Sequence, residues 1–386
     1  MTEIAFSGDI AFSKYFRGTY EDPELICKDA IDFLQSADHV VLNVEGALTD
    51  NVMTRGSSSV PAHASDPRCL PWLLKMKGDV WNLSNNHTLD CGEGGLADTL
   101  KLARENGCQP LGAGMNLGEA SKPVRFSEEG GIGILAVSYK AFMRAEENKA
   151  GVLHWDDFKS IQKAIQEVKK NNRWCILVAH GGEEFSGIPM PFVRRRYLKY
   201  LKMGADIIVS HHPHVPQSFE KIGSKVIFYS LGNFLFDTDY QRLQKYTDRG
   251  VLLKLKLTEN DCTWEHFSYR IDRELHRVIP EKTPHVFRNI SAKEYRALAP
   301  VGVSNFLRDY AVAKIFLHPK MEHYTKCQWF KWYWKEKGGK ETLSLYLHAA
   351  LYRMGNRKKA EALWKAHLEG APEAARSSDT QAFAPK

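Results

Sequence analysis

The 386-residue sequence has no apolar run near the roughly 18–20 residues that span a bilayer. Its opening stretch, MTEIAFSGDIAFSKYF, lacks a basic segment followed by an apolar core. No secretory leader is therefore expected, and the cytoplasm is the expected compartment. The seven cysteines, at 27, 69, 91, 108, 175, 262 and 327, form no CxxC pair and no regular spacing. That pattern argues for reduced thiols, against a disulfide framework and against a cysteine-based zinc site. Net positive charge is absent outside the C-terminal quarter. Residues 290–386 hold 17 Lys/Arg against 9 Asp/Glu, so the first 289 residues carry about −1 of the formal +7. No recognisable nucleic-acid motif accompanies the basic region, and no nucleic-acid partner is expected.

What remains is an ordinary globular composition, 43% hydrophobic and 26% charged. The length suits one large domain and a smaller one. Residues 1–250 alternate short β-branched or aromatic runs with amphipathic stretches. The strand candidates are EIAFSGD, HVVLNVEG, DVWNLSN, GIGILAVSY, WCILVAHG and ADIIVSHH. Between them, Phe158, Ile161, Ile165 and Val168, and then Val193, Tyr197, Leu198 and Leu201, recur at helical spacing. Strands alternating with helices predict an α/β fold with a partly parallel sheet, and residues 218–280 add a strand-rich, antiparallel completion. After residue 288 the pattern turns helical. TLSLYLHAALYRMGNRKKAEALWKAHLEG reads as two helices joined at Gly355-Asn356, and residues 371–386 read as a disordered tail. KCQWFKWYWKEKGGK interleaves aromatic and basic residues. It suits either a membrane surface, glycan or anionic polymer, or a helix that packs its Trp residues on the core and leaves Lys in water.

Five of the six strand candidates stop at groups able to bind a metal: Asp9, then Asn43 and Glu45, then Asn86-His87, His180, and His211-His212-Pro213-His214. Open α/β sheets place their sites just beyond such strand ends. Each group alone has a plainer reading, as a turn, a cap or a core-edge histidine. Three histidines in four residues are harder to explain that way. A bridging carboxylate holds two divalent cations about 3.5–4 Å apart, and mixed N and O donors suit Mn, Fe or Zn better than Mg or Ca. His212 and His214 would share one face of an extended strand, although Pro213 implies that the strand has already turned.

FSGDIAF, VVLNVEGALTD, NLSNNHTLDCGEGGLADTL, LGAGMNLGEASKPV, VAHGGEE, GADIIVSHHPHVPQSFE and IFYSLGNFLFD follow one another within residues 4–237. In that order they resemble the CapA-type capsule-synthesis proteins, linked to bacterial poly-γ-glutamate and capsule production, within the calcineurin-like metallophosphatase superfamily. The basic helical extension expected over 288–370 lies outside the match. The resemblance implies a four-layer core, two mixed sheets flanked by helices, in a domain expected over 1–287. It implies Asp9, Glu45, Asn86, His180, His212 and His214 as ligands of one or two Mn, Fe or Zn ions. It also implies His87 as the acid that assists the leaving group and Glu184 as orienting a ligand or contacting substrate; Asp90, counted with these catalytic residues, is expected to cap or orient the following helix. Asn43, Asn85 and His211 are expected near the substrate. The superfamily's Asp-x-His is absent at Asp9-Ile10-Ala11, which leaves one metal position a ligand poorer. Glu45, where Asp is usual, lengthens the bridge by a methylene. The expected activity is metal-dependent hydrolysis of a phosphoester or γ-glutamyl-type amide in an anionic small molecule or polymer. The alternative is a non-catalytic accessory or assembly protein that keeps the metal-binding fold.

Overall fold

A computed structural model describes residues 1–50, 63–317, 321, 325–337 and 339–370; the tail expected over 371–386 lies outside the described residues. All six strand candidates form strands: Thr2–Ile10, His39–Val44, Val80–Asn82, Ile132–Ser138, Trp174–His180 and Ile207–His211. They are divided between two sheets. In the first, Thr2–Ile10, His39–Val44, Val80–Asn82 and Gln109–Leu111 run parallel, and Arg249–Leu257, Cys262–Asp272 and Arg277–Pro280 extend it antiparallel. In the second, Ile132–Ser138, Trp174–His180, Ile207–His211 and Lys225–Phe228 are parallel, with antiparallel edges at Val124–Phe126 and Phe219–Ile222.

Alternate residues along each strand face opposite sides of its sheet, and both faces are apolar here. Ile4 and Phe6 of the first sheet, with Ile134, Ile176 and Val209 of the second, build the core between the sheets. Ala5 and Ile10 instead face Ile31, Leu73 and Leu100 of the helices Lys28–Gln35, Leu70–Lys75 and Gly92–Glu105. Leu135, Val137 and Leu177 face Ile161, Ile165 and Tyr197 of the helices Phe158–Asn171 and Pro191–Met203. The result is the expected four layers: helix, sheet, sheet, helix.

Four helices follow, Ala292–Leu317, Lys326–Lys337, Gly339–Met354 and Arg357–Glu369, the last two meeting at Gly355-Asn356 as the sequence predicts. They lie against the second sheet's helical layer. Val303, Phe306, Tyr333 and Leu345 join that core, with Trp329 and Trp332 packed partly against it. The aromatic-basic stretch therefore turns most of its rings inward, while Trp334 remains 47% exposed. Among the described residues, no helix is long and apolar enough to cross a membrane.

Candidate metal centre

The parallel strands of both sheets end on one side of the molecule, and there the predicted residues meet. Asp9 closes the first strand, where its backbone N–H donates to the Gly232 carbonyl at 3.0 Å. A Cβ on Gly8 would lie 2.3 Å from that same carbonyl oxygen, so the approach requires glycine. Two amides then hold the Asp9 carboxylate from behind. Asn82 Nδ2 donates to Asn43 Oδ1 at 2.6 Å, and Asn43 Nδ2 donates to Asp9 Oδ1 at 2.7 Å. Asn43, expected near the substrate, is buried in this chain of amides.

The second sheet supplies the imidazoles. His211 ends its strand, and the chain then turns sharply, with His212 at φ +96° and His214 at φ +57°. These left-handed conformations are uncommon for non-glycine residues and concentrate at functional sites. His212 and His214 thus converge through a strained turn about Pro213, not by sharing a face of an extended strand. Their ring centroids are 5.7 Å apart, and those of His180 and His212 are 5.1 Å apart. His214 Nδ1 lies 2.8 Å from Asn233 Oδ1 and 3.0 Å from Asp9 Oδ2, and His211 Nδ1 lies 3.5 Å from Asp9 Oδ1.

Three overlapping groups of donors result. Asp9, Glu45 and His214 form one, Glu45, His180 and His212 a second, and Glu184, His212 and His214 a third; donor atoms within each lie within 4.8 Å of one another. Glu45 belongs to two of them. Asn86 joins through Oδ1, 2.8 Å from His180 Nε2, close to the roughly 3 Å that separates neighbouring donors on one cation with bonds near 2.1 Å. Glu184, expected to orient a ligand, stands among the donors itself.

Electrostatics support the same grouping. Burial pushes the Glu45 carboxyl well above the usual carboxylate range, and the Asp9 charge pushes it further. Burial would raise Asp9 as well, but the His211 and His214 imidazoles beside it more than offset this and hold the group well below its ordinary value. Burial opposes protonation of His214, yet the Asp9 carboxylate 3.0 Å away and the Glu45 charge lift it to about 9. Burial, reinforced by His212, keeps His180 well below the usual imidazole range and therefore neutral. Both Glu45 carboxylate oxygens are buried without a hydrogen bond. A buried carboxylate in that condition is costly. The unsatisfied oxygens and the neutral imidazole beside them fit a divalent cation, next to which a carboxylate stays deprotonated.

His87 stands at the rim. Its Nδ1 is 2.6 Å from Asp90 Oδ2 and its Nε2 3.8 Å from Glu45 Oε1, with 12% of the side chain exposed. Asp90 does not cap the following helix, whose N-cap is Cys91 without a side-chain bond. It accepts instead from the His63 backbone N–H at 3.1 Å as well as facing the His87 ring. Asn85 is wholly engaged with the backbone: its Oδ1 accepts from Gly46 and His87, and its Nδ2 donates to the Val44 carbonyl. Reasoning from sequence missed Asn233, which opens the short strand Asn233–Leu235 and does not end a strand as the other site residues do. It also passes over His63, which belongs to none of the strand-end motifs. His63 is buried, 4.3 Å from the His87 ring and 2.9 Å from Ser13 Oγ.

The chain is similar in sequence to known proteins. Residues 3–238 match the family described as bacterial capsule synthesis protein PGA_cap. The PGA biosynthesis protein CapA of Bacillus subtilis is 31% identical over 263 residues, 66% of this chain and 68% of that protein. The capsule biosynthesis protein CapA of Bacillus anthracis is 30% identical over 264 residues, 66% of this chain and 63% of that protein. A Mycobacterium tuberculosis protein, named a probable polyglutamine synthesis accessory protein, is 24% identical over 58% of this chain and 62% of its own length. The chain thus spans about two thirds of the length of these relatives.

Proposed function

Since this chain belongs to the PGA_cap family of bacterial capsule synthesis proteins, we propose that it is a CapA-like protein of capsule or poly-γ-glutamate metabolism that works as a metal-dependent hydrolase. The observation that carries this reading is the shared place of Glu45 in two donor groups, one with Asp9 and His214 and one with His180 and His212. Asp9, Glu45, Asn86, His180, His212 and His214 would hold one or two ions of Mn, Fe or Zn, a choice favoured by the mixed imidazole and oxygen donors. Bound there, such ions supply Lewis-acid polarisation and a nucleophile from water at neutral pH.

The chain's own residues do the rest. Asn43 and Asn82 fix the Asp9 carboxylate, and Asn233 fixes His214. Asp90 holds the His87 ring by Nδ1, so that Nε2 faces Glu45 and the centre. Protonated, that Nε2 donates to the departing oxygen or nitrogen, and its partial exposure allows the proton to be replaced from water. The substrate in this reading is an anionic molecule or polymer with a phosphoester or γ-glutamyl-type amide. The name of the Mycobacterium tuberculosis relative favours a second reading, an accessory protein that keeps the centre without turnover.

Metal content per chain by mass spectrometry, with turnover of phosphate monoesters, diesters and γ-glutamyl amides, separates the two. Bound Mn, Fe or Zn should be lost on His212→Ala/His214→Ala. His87→Ala should retain it while kcat falls about 10²–10⁴-fold, the usual contribution of a general acid. Bound metal with no turnover of any substrate class favours the accessory reading. No metal, even after reloading, sinks the hydrolase.

A further inference from the structure

A cavity of about 440 Å³ opens beside the candidate metal centre, within the range of small-ligand sites. Glu184 joins the two. It lines the cavity and also stands with His212 and His214 in one of the donor groups. One wall, which includes Phe185, Ser186 and Pro216, lies within residues 3–238, the part that matches the family. The facing wall lies outside that part: Tyr246 and Arg249 on the core, Asn305 and Phe306 on the helix Ala292–Leu317, Trp364 and Leu368 on the helix Arg357–Glu369. The helical extension therefore completes a cavity beside a centre to which it contributes none of the grouped donors.

That wall is fitted closely to its neighbours. A Cβ on Gly187 would lie 2.8 Å from Leu368 Cδ2, and one on Gly302 would lie 2.9 Å from the Trp364 ring. Tyr295 Oη donates to the Pro189 carbonyl at 2.9 Å, and His367 Nε2 donates to the Gly187 carbonyl at 3.2 Å. The loop that carries Glu184 is thus held by the extension at several points.

The lining carries three cations, Lys245, Arg249 and Arg308, against three carboxylates, Glu184, Asp309 and Glu369, but the carboxylates are engaged elsewhere, Glu184 with Tyr240 and the donor group of His212 and His214. Arg308 is engaged with Asp309, Nε to Oδ1 at 2.8 Å. Glu369 lies 4.0 Å from Lys365 and takes the Tyr246 hydroxyl. Lys245 and Arg249 have no ion pair among the described residues, and both line the cavity. Arg249 lies over the Tyr246 ring, 5.6 Å from its centroid. Two uncommitted cations are set among the apolar faces of Phe185, Tyr246, Trp364 and Leu368.

We propose that this cavity is a subsite for a carboxylated oligomeric chain, with Lys245 and Arg249 pairing with successive carboxylates while the aromatic and leucine faces cover the methylenes between them. A polyphosphate would satisfy the cations and gain nothing from the apolar wall. The volume exceeds what a single phosphate needs, so the subsite reads the chain flanking the bond at the metal centre. This assignment rests on the hydrolase reading for its placement, but chain binding is measurable without turnover.

Calorimetric titration of the full chain with a synthetic γ-glutamate pentamer, free glutamate and inorganic tripolyphosphate tests it. The pentamer should bind, more tightly than tripolyphosphate and far more tightly than glutamate. Lys245→Gln/Arg249→Gln should weaken pentamer binding at least tenfold. Lys245→Glu, at an exposed position, should do the same without risk to the fold. Pentamer binding that is absent, indifferent to both variants, or weaker than tripolyphosphate binding overturns the proposal. In the His212→Ala/His214→Ala chain, pentamer binding that still responds to Lys245→Glu supports the subsite independently of the metal. If metal content fails while that response holds, the hydrolase reading falls and the subsite stands.

Discussion

The Asp9 carboxylate is held by amides, and the choice of amide over acid at Asn43 matters. Nδ2 of Asn43 donates to Asp9 Oδ1 while its Oδ1 accepts from Asn82. Asn43→Asp keeps the shape but sets a second carboxylate against a buried first one. Two carboxylates in contact cannot both stay ionised without a compensating charge. The substitution should lower stability by about 3 kcal/mol, read from the urea midpoint, and should raise Asp9 toward protonation. An unchanged midpoint would mean that the amide contact contributes nothing. His87 and Asp90 illustrate a related limit on reading residues one at a time. Asp90 three residues after His87 and just before a helix has the sequence signature of a cap, yet its Oδ2 faces the His87 ring. Both uses satisfy the carboxylate, and the three-dimensional place of His63, distant in sequence, accompanies the second.

Strand ends carry the centre, so the spacing between strands sets its geometry. Gly8 allows Thr2–Ile10 and Asn233–Leu235 to approach at Asp9. Gly8→Ala would drive a methyl into the Gly232 carbonyl, and the strands would have to part. A loss of about 2–4 kcal/mol is expected by denaturant unfolding, together with reduced metal content, because Asp9 moves with the strand. Retention of both would show that the sheet absorbs the methyl without displacing Asp9. At this scale much of the architecture is legible in the sequence. Short apolar runs of two to six residues followed closely by Asp, Asn, Glu or His identify the strands and the residues that the structure gathers at their ends. Asn233 and His63 stand alone in sequence, and nothing local distinguishes them from turn or surface residues. The left-handed turn at His212 and His214 is equally silent, since Pro213 signals a break but not its direction. The helical hairpin is legible from its periodicity. Its docking on the loop at Gly187 is not, because that contact spans some 180 residues and leaves no periodic trace.

Across the whole molecule, the extension is fastened partly by a titratable group. Burial lowers His367 to about 4, and the hydrogen bond to the Gly187 carbonyl only partly opposes this. The unfolded side chain titrates near 6.5, so the unfolded state binds the extra proton between those values. The neutral imidazole's contribution is complete above about pH 6.5 and is lost as the pH falls through 4, amounting to at most about 3 kcal/mol. Hydrogen exchange over 357–369 should therefore speed up from pH 7 to pH 4.5, after correction for intrinsic rates. His367→Gln should remove most of that pH dependence. An identical profile in both proteins would assign the acid sensitivity elsewhere.

Arg249 and Leu368 line one cavity although about 120 residues of chain separate them. At typical elongation rates of 5–20 residues per second, that interval takes roughly 6–24 s. During synthesis, every donor of the metal cluster, the last being His214, is present before the cavity's far wall exists. A newly made chain thus passes through a period in which the centre can assemble while the walled cavity beside it cannot.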